Sequence, residues 1–214
     1  EMVDNEMGED YAKLAGLTAE EDLKETTAQS MKKRLPWLII LLFLWMLVSS
    51  VVGVFEHVVA VLPIVICFQS LVLDMAGNVG TQSLAVTIRV LMDESLTGKQ
   101  KLQLVFKEMR IGFCNGLLLG VLSFAVIGLF IFLFKGKTMM FAFSVSACIG
   151  IALLLAMLIS SAVGTCIPLF FKKIHIDPAV ASGPLITTVN DLVAVVTFYG
   201  LSWLFLIEML HLAG

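Results

Sequence analysis

Two aspartates, Asp74 and Asp191, stand inside long apolar runs of this chain. An ionisable side chain in hydrocarbon is costly unless it is paired, solvated or bound to a cation, so each marks a candidate functional position. On a helix of about 3.6 residues per turn, Gly183, Thr187, Asp191, Ala194 and Phe198 fall along one stripe, which groups small and oxygen-bearing residues and suits a pore lining. Asn190 is adjacent. Pro178 and Pro184 lie upstream, and proline there frees backbone carbonyls that are tolerable at membrane depth only against protein or a water-filled cavity. Asp74 opens a second polar interruption that runs to Ser83. In it, Gly77 and Gly80 allow close approach of backbone to an ion or a facing helix, and Asn78, Thr81 and Gln82 offer side-chain oxygens. Glu56, His57 and Glu208 sit near the ends of apolar runs, where they can reach the interface, and are secondary candidates.

Carboxylates, carbonyls and amide oxygens are hard donors. No histidine or cysteine accompanies them in either segment, which disfavours zinc and copper and favours magnesium or calcium. Magnesium gives up its water reluctantly, so one carboxylate and a few neutral oxygens can hold it through retained waters. Such weak, multi-point recognition is what conduction requires. Cys67, Cys114, Cys148 and Cys166 occur singly in apolar segments and read as small buried residues rather than as a metal or redox set.

The elements that must position these groups are membrane helices. With 59% hydrophobic and 14% charged residues and a mean hydropathy of +0.98, the 214-residue chain belongs in a bilayer. Its apolar runs are continuous rather than alternating, which excludes an open β-barrel and predicts an all-α membrane protein. Five spans are expected: Trp37 to Phe55, Val58 to Val90, Ile111 to Phe134, Thr138 to Phe171 and Pro178 to Leu210. Residues 1–35 form an acidic aqueous segment. Thr18 and Glu21 make a capping-box signature there, predicting a helix from about Ala19 to Arg34. Asp93 to Arg110 reads as a charged connector with an amphipathic segment, and Gly112, Gly116 and Gly120 as a packing ridge. Placing the N-terminus in the cytoplasm puts Lys32, Lys33, Arg34, Arg89, Lys99, Lys101, Lys107, Arg110, Lys172 and Lys173 inside, against only Lys135 and Lys137 outside. The expected location is thus the cell's inner membrane, with an external C-terminus.

The stretches Met75 to Ser83, Pro168 to Lys173 and Asp177 to Leu192 resemble the MgtE magnesium transporter family. The resemblance covers the membrane region and, more loosely, the preceding segment, which is similar to that family's connecting plug helix. It implies five transmembrane helices per subunit and a homodimer with a central pore lined by the second and fifth spans. It also makes the aspartate of Asn190-Asp191-Leu192 the principal carboxylate for Mg2+, which is both the transported ion and a pore-bound one. Gly77, Asn78, Gly80, Gly183, Thr187 and Ala194 are the accompanying candidates by motif and helical face, with Asp74 beside them. Expected partners are a second copy, membrane lipid and Mg2+, with no nucleic acid. The family's cytoplasmic helical and paired CBS domains are expected to be missing, and conduction is therefore expected to be poorly regulated by cytosolic magnesium.

An intramembrane aspartyl protease would also need two aspartates. Its Gly-x-Gly-Asp context is absent, since Asp191 follows Thr188, Val189 and Asn190, and no enzyme is expected. A secondary transporter coupled to protons or sodium, with Asp74 or Asp191 as relay, is a nearer rival that inverted repeats would favour, yet none is convincing. A purely structural membrane subunit is the third possibility.

Overall fold

The computed structural model describes residues 25–93, 96–176 and 183–210. Among these the chain is all helical, and five helices are long and apolar enough to cross a bilayer. Helix α1 spans Thr27–Val54 and is followed by the short α2, Glu56–Val61, and a 3-10 segment, Pro63–Phe68. Then come α3 (Gln69–Asp93), α4 (Gly98–Phe134), α5 (Met139–Lys173) and α6 (Gly183–Leu201), which a wider π-helical stretch, Ser202–Met209, continues.

Local chemistry sets most of these boundaries. The predicted Thr18 and Glu21 box lies outside the described residues, and Glu25 and Thr26 are not helical. The first described helix starts instead at Thr26, whose backbone N–H donates to the Gln29 side-chain oxygen at 2.9 Å. It runs on through Pro36 into the membrane, so no break separates the juxtamembrane turns from the first span. Lys33 reaches back to Glu25 at 2.5 Å and ties the start of α1 together.

The second expected span is not one helix. Leu62, at φ −126° and ψ 70°, leaves the helical region because Pro63 follows it, and α3 begins only at Gln69. The third span is longer than the apolar run suggests. Thr97 caps it by accepting from the Gln100 backbone, and α4 absorbs most of the expected connector. Glu108, within that charged stretch, is 4% exposed and accepts from Ser83 Oγ at 3.0 Å, linking α4 to α3. Helix α5 ends without glycine: His175 takes φ 60°, and the Ile176 N–H donates back to the Phe171 carbonyl at 2.9 Å.

Helix α5 is the hub, packing against α4, α3 and α6, and more than half of its most apolar window is buried, against 6% for α1. The close α4–α5 crossing depends on the glycine ridge read from the sequence. A Cβ on Gly120 would lie 2.7 Å from the Gly150 carbonyl oxygen and the reverse distance is the same, while one on Gly116 would lie 2.9 Å from Leu154 Cα. In lipid, where burying apolar side chains against one another gains little over lipid contact, such backbone proximity is what holds helices together.

Gly120→Leu should therefore destabilise the folded subunit by about 1–3 kcal/mol, the usual cost of overpacking. The readout is a melting point in detergent, expected to fall by several degrees. Gly53→Ala, which meets nothing within 4 Å, is expected to leave it unchanged.

Candidate functional site

Helices α3 and α6 run antiparallel and touch along their length. The Tyr199 hydroxyl donates to Gln69 at one end, and a Cβ on Gly77 would come 3.3 Å from the Thr187 methyl nearer the other. Tyr199 is held for this by stacking on Phe55, with ring centroids 5.7 Å apart. Between the two helices, with Trp45 of α1 as a side wall, lies a cleft of about 460 Å³. Asp74, Asn78 and Thr81 of α3 face it together with Gln69 and Ser70, and α6 contributes Thr187 and Asp191.

Of the residues expected from the sequence, the structure brings Asp74, Gly77, Asn78, Thr187 and Asp191 to this one cleft. Gly80 is elsewhere. A Cβ on it would collide with the Asn190 amide, and its own carbonyl oxygen lies under Gly164 of α5, so three helices meet at that glycine. Ala194 is fully buried in the hydrophobic core, as is Phe198, because the α6 stripe turns into protein after Asp191. Gly183 stands at the first position of α6, and its surroundings lie outside the described side chains, as does the whole of Pro178. Gln82 faces a different cavity.

Asp191 is 3% exposed, and its Oδ2 makes no hydrogen bond among the described residues. That oxygen is itself buried, so the cleft wall carries an unsatisfied carboxylate acceptor. Neighbouring Asn190 has both amide atoms buried without a partner among the described residues, wedged over Gly80. The Thr81 hydroxyl donates to the Asn78 carbonyl at 2.9 Å, which leaves its lone pairs free to accept. The lining is thus two carboxylates with amide and hydroxyl oxygens, and no group of three histidine, cysteine, aspartate or glutamate side chains occurs among the described residues. Such a donor set suits a hard cation that keeps part of its water.

Four contributors escaped the sequence reading. Gln69 and Ser70 lie just after the 3-10 segment, and the signal for Ser70 was a four-residue repeat through Asp74, Asn78 and Gln82. Trp45 carried none, since which face of α1 meets α3 and α6 is a packing outcome. Glu108, which fastens α4 to α3 behind the cleft, was hidden among the charges of its stretch, between Lys107 and Arg110.

The architecture defines a multi-pass membrane protein with an oxygen-lined cleft between two of its spans. The family model for MgtE, a divalent cation transporter, matches residues 69–201, and the chain belongs to that family. Helices α3 and α6, with the whole cleft lining they supply, fall inside the match. The chain is 35% identical over 206 residues to the magnesium transporter MgtE of Enterococcus faecalis, covering 96% of this chain and 43% of that protein. It is 33% identical to that of Bacillus subtilis, over 96% and 44%, and 28% identical to that of Thermus thermophilus, over 81% and 36%. The chain therefore spans less than half the length of these relatives. The family is one of transporters, not enzymes, which sets the protease alternative aside.

Gly80→Ala should lower stability, because its methyl meets the Asn190 amide. Adding Asn190→Ala, which removes the atoms in the way, is expected to recover part of the loss. Detergent melting of the two single variants and the double should give a coupling of about 0.5–3 kcal/mol.

Proposed function

We propose that this chain is the membrane core of a magnesium channel or transporter, and that partly hydrated Mg2+ passes along the cleft between α3 and α6. The observation that carries this is the meeting of Asp74 and Asp191, from two separate spans, on one polar cleft in the surface of an apolar bundle. The relatives' common description as magnesium transporters supports the choice of ion. Asp191 is the principal ion-facing carboxylate. Asp74, Asn78, Thr187 and the backbone at Gly77 are its companions in the cleft, and Gly183, at the first position of α6, is a further candidate, whereas Gly80 and Ala194 lie away from the cleft.

Two such subunits, related by a two-fold axis, would set a second Asp191 opposite the first. At an effective dielectric of about 20, a divalent ion roughly 5 Å from a carboxylate, one water layer away, gains about 7 kcal/mol of Coulomb energy, partly offset by desolvation. Two facing carboxylates would balance the ion's charge and repel each other without it. Neutral oxygens along the rest of the cleft keep the ion from being trapped.

The basic residues at the ends of the spans favour a cytoplasmic N-terminus. The same bias supports a membrane core of residues 36–214 behind a cytoplasmic segment of residues 1–35, and an external C-terminus.

The test is Mg2+ flux into proteoliposomes. Asp191→Asn should cut flux at least roughly tenfold, the equivalent of about 1.4 kcal/mol, while the variant still elutes as folded protein. Asp74→Asn should weaken apparent Mg2+ affinity severalfold with a smaller effect on maximal flux. Flux that follows the magnesium gradient and ignores pH and sodium is the expected channel behaviour, whereas unchanged flux in Asp191→Asn would overturn the assignment.

A further inference from the structure

The polar lining does not end at the cleft. Along α3, Ser70, Asp74, Asn78 and Gln82 recur every four residues, and all four are exposed on the subunit surface within a membrane-spanning helix. Four residues turn an α-helix by about 400°, so such a stripe drifts by about 40° at each step. Ser70 and Asp74 accordingly face the cleft, and Asn78 lines both the cleft and a second cavity of about 290 Å³. Gln82 lines the second cavity and not the cleft. There it is joined by Asn115, which stands about halfway along the 37-residue α4, with Met75, Leu118 and Met157 forming apolar walls.

Three primary amides thus converge on one cavity between membrane-spanning helices, and none of their side chains makes a hydrogen bond among the described residues. Facing lipid, each would leave polar atoms unsatisfied at a cost of several kcal/mol. Facing water, they are satisfied. The cavity is large enough for the purpose: six waters at about 30 Å³ each occupy about 180 Å³. Gln82 lies eight residues beyond Asp74, about 12 Å further along the helix axis.

We propose that Asn78, Gln82 and Asn115 form a second, uncharged waypoint for the hydrated divalent cation, on the Arg89 side of the aspartate cleft. Its amides hydrogen-bond the ion's water shell rather than the ion. Asn78 is the shared wall that passes the ion from one station to the other. A neutral station next to a charged one lets the ion leave the carboxylates without meeting bare hydrocarbon, and its weak hold keeps it from becoming a trap. This rests on the transport function proposed above and adds α4, through Asn115, to the helices that face the ion.

Asn115→Leu and Gln82→Leu, measured as Mg2+ flux into proteoliposomes, should each lower maximal flux at least roughly fivefold, about 1 kcal/mol. Asn115→Gln should retain most of it, and Leu122→Ala, at an exposed position of α4 outside the cavity, should leave it unchanged. A second measurement does not depend on the leucine variants folding. Asn115→Cys, in a chain with Cys67, Cys114 and Cys166 changed to Ala, should react with a cationic water-soluble methanethiosulfonate, which blocks flux, and Mg2+ should slow the reaction severalfold. Lost flux in Asp191→Asn together with unchanged flux in Asn115→Leu overturns the waypoint alone, as does a thiol in Asn115→Cys that stays unmodified. A spontaneous disulfide between two copies of the Asn115→Cys chain also overturns it, showing this face to be a contact between subunits. Unchanged flux in both Asp191→Asn and Asn115→Leu overturns the transport function as well.

Discussion

Hydrocarbon cannot solvate a carboxylate, and that constraint organises the rest of the structure. Asp74 and Asp191 occupy spans that are otherwise long and apolar, so their helices must turn them away from lipid and toward a shared polar space. The antiparallel pairing of α3 and α6 does so, with Gln69 and Tyr199 fastening one end and Gly77 against Thr187 closing the other. The polar lining around Asp191 follows from the same requirement.

Keeping that cleft open demands a rigid surround, and glycine supplies it. Where α4 crosses α5 at Gly120 and Gly150, and where α5 meets α3 at Gly164 and Gly80, backbones lie too close for any side chain, and the Asn190 amide of α6 fills the space over Gly80. Helix α5 carries these contacts on two sides and is the most buried of the five. Glu108 adds a polar fastening to α3 through Ser83, although few backbone contacts join those helices. Packing of this kind is directional. It holds α3 in one rotation about its axis and so decides which of its polar residues meet the cleft.

The chemistry of the lining suits a hard cation that keeps part of its water. Two carboxylates supply charge, while hydroxyls and amides supply hydrogen-bonding partners for a hydration shell, an arrangement fitted to magnesium, which sheds water reluctantly. Membership of the MgtE family rests on a match that spans α3 to α6 and so includes every helix bearing on the cleft except α1.

Composition and hydrophobic runs alone determined that this is a helical membrane protein with five spans, because lipid leaves the backbone so few options. They also singled out Asp74 and Asp191, since charge stands out in an apolar run, and the Gly112 to Gly120 ridge, since four-residue spacing stays near one helix face. What the tertiary structure alone decided is which neighbours those residues have. Gly80 and Gly77 look alike in the sequence, yet one lies beneath Asn190 and Gly164 while the other borders the cleft. Ala194 shares a helical stripe with Asp191, yet it is sealed in the core. Trp45 and Glu108 showed no pattern at all. The reason is that helical periodicity fixes which residues share a face, whereas the rotation of each helix against its neighbours, set by contacts distant in the chain, fixes what that face meets.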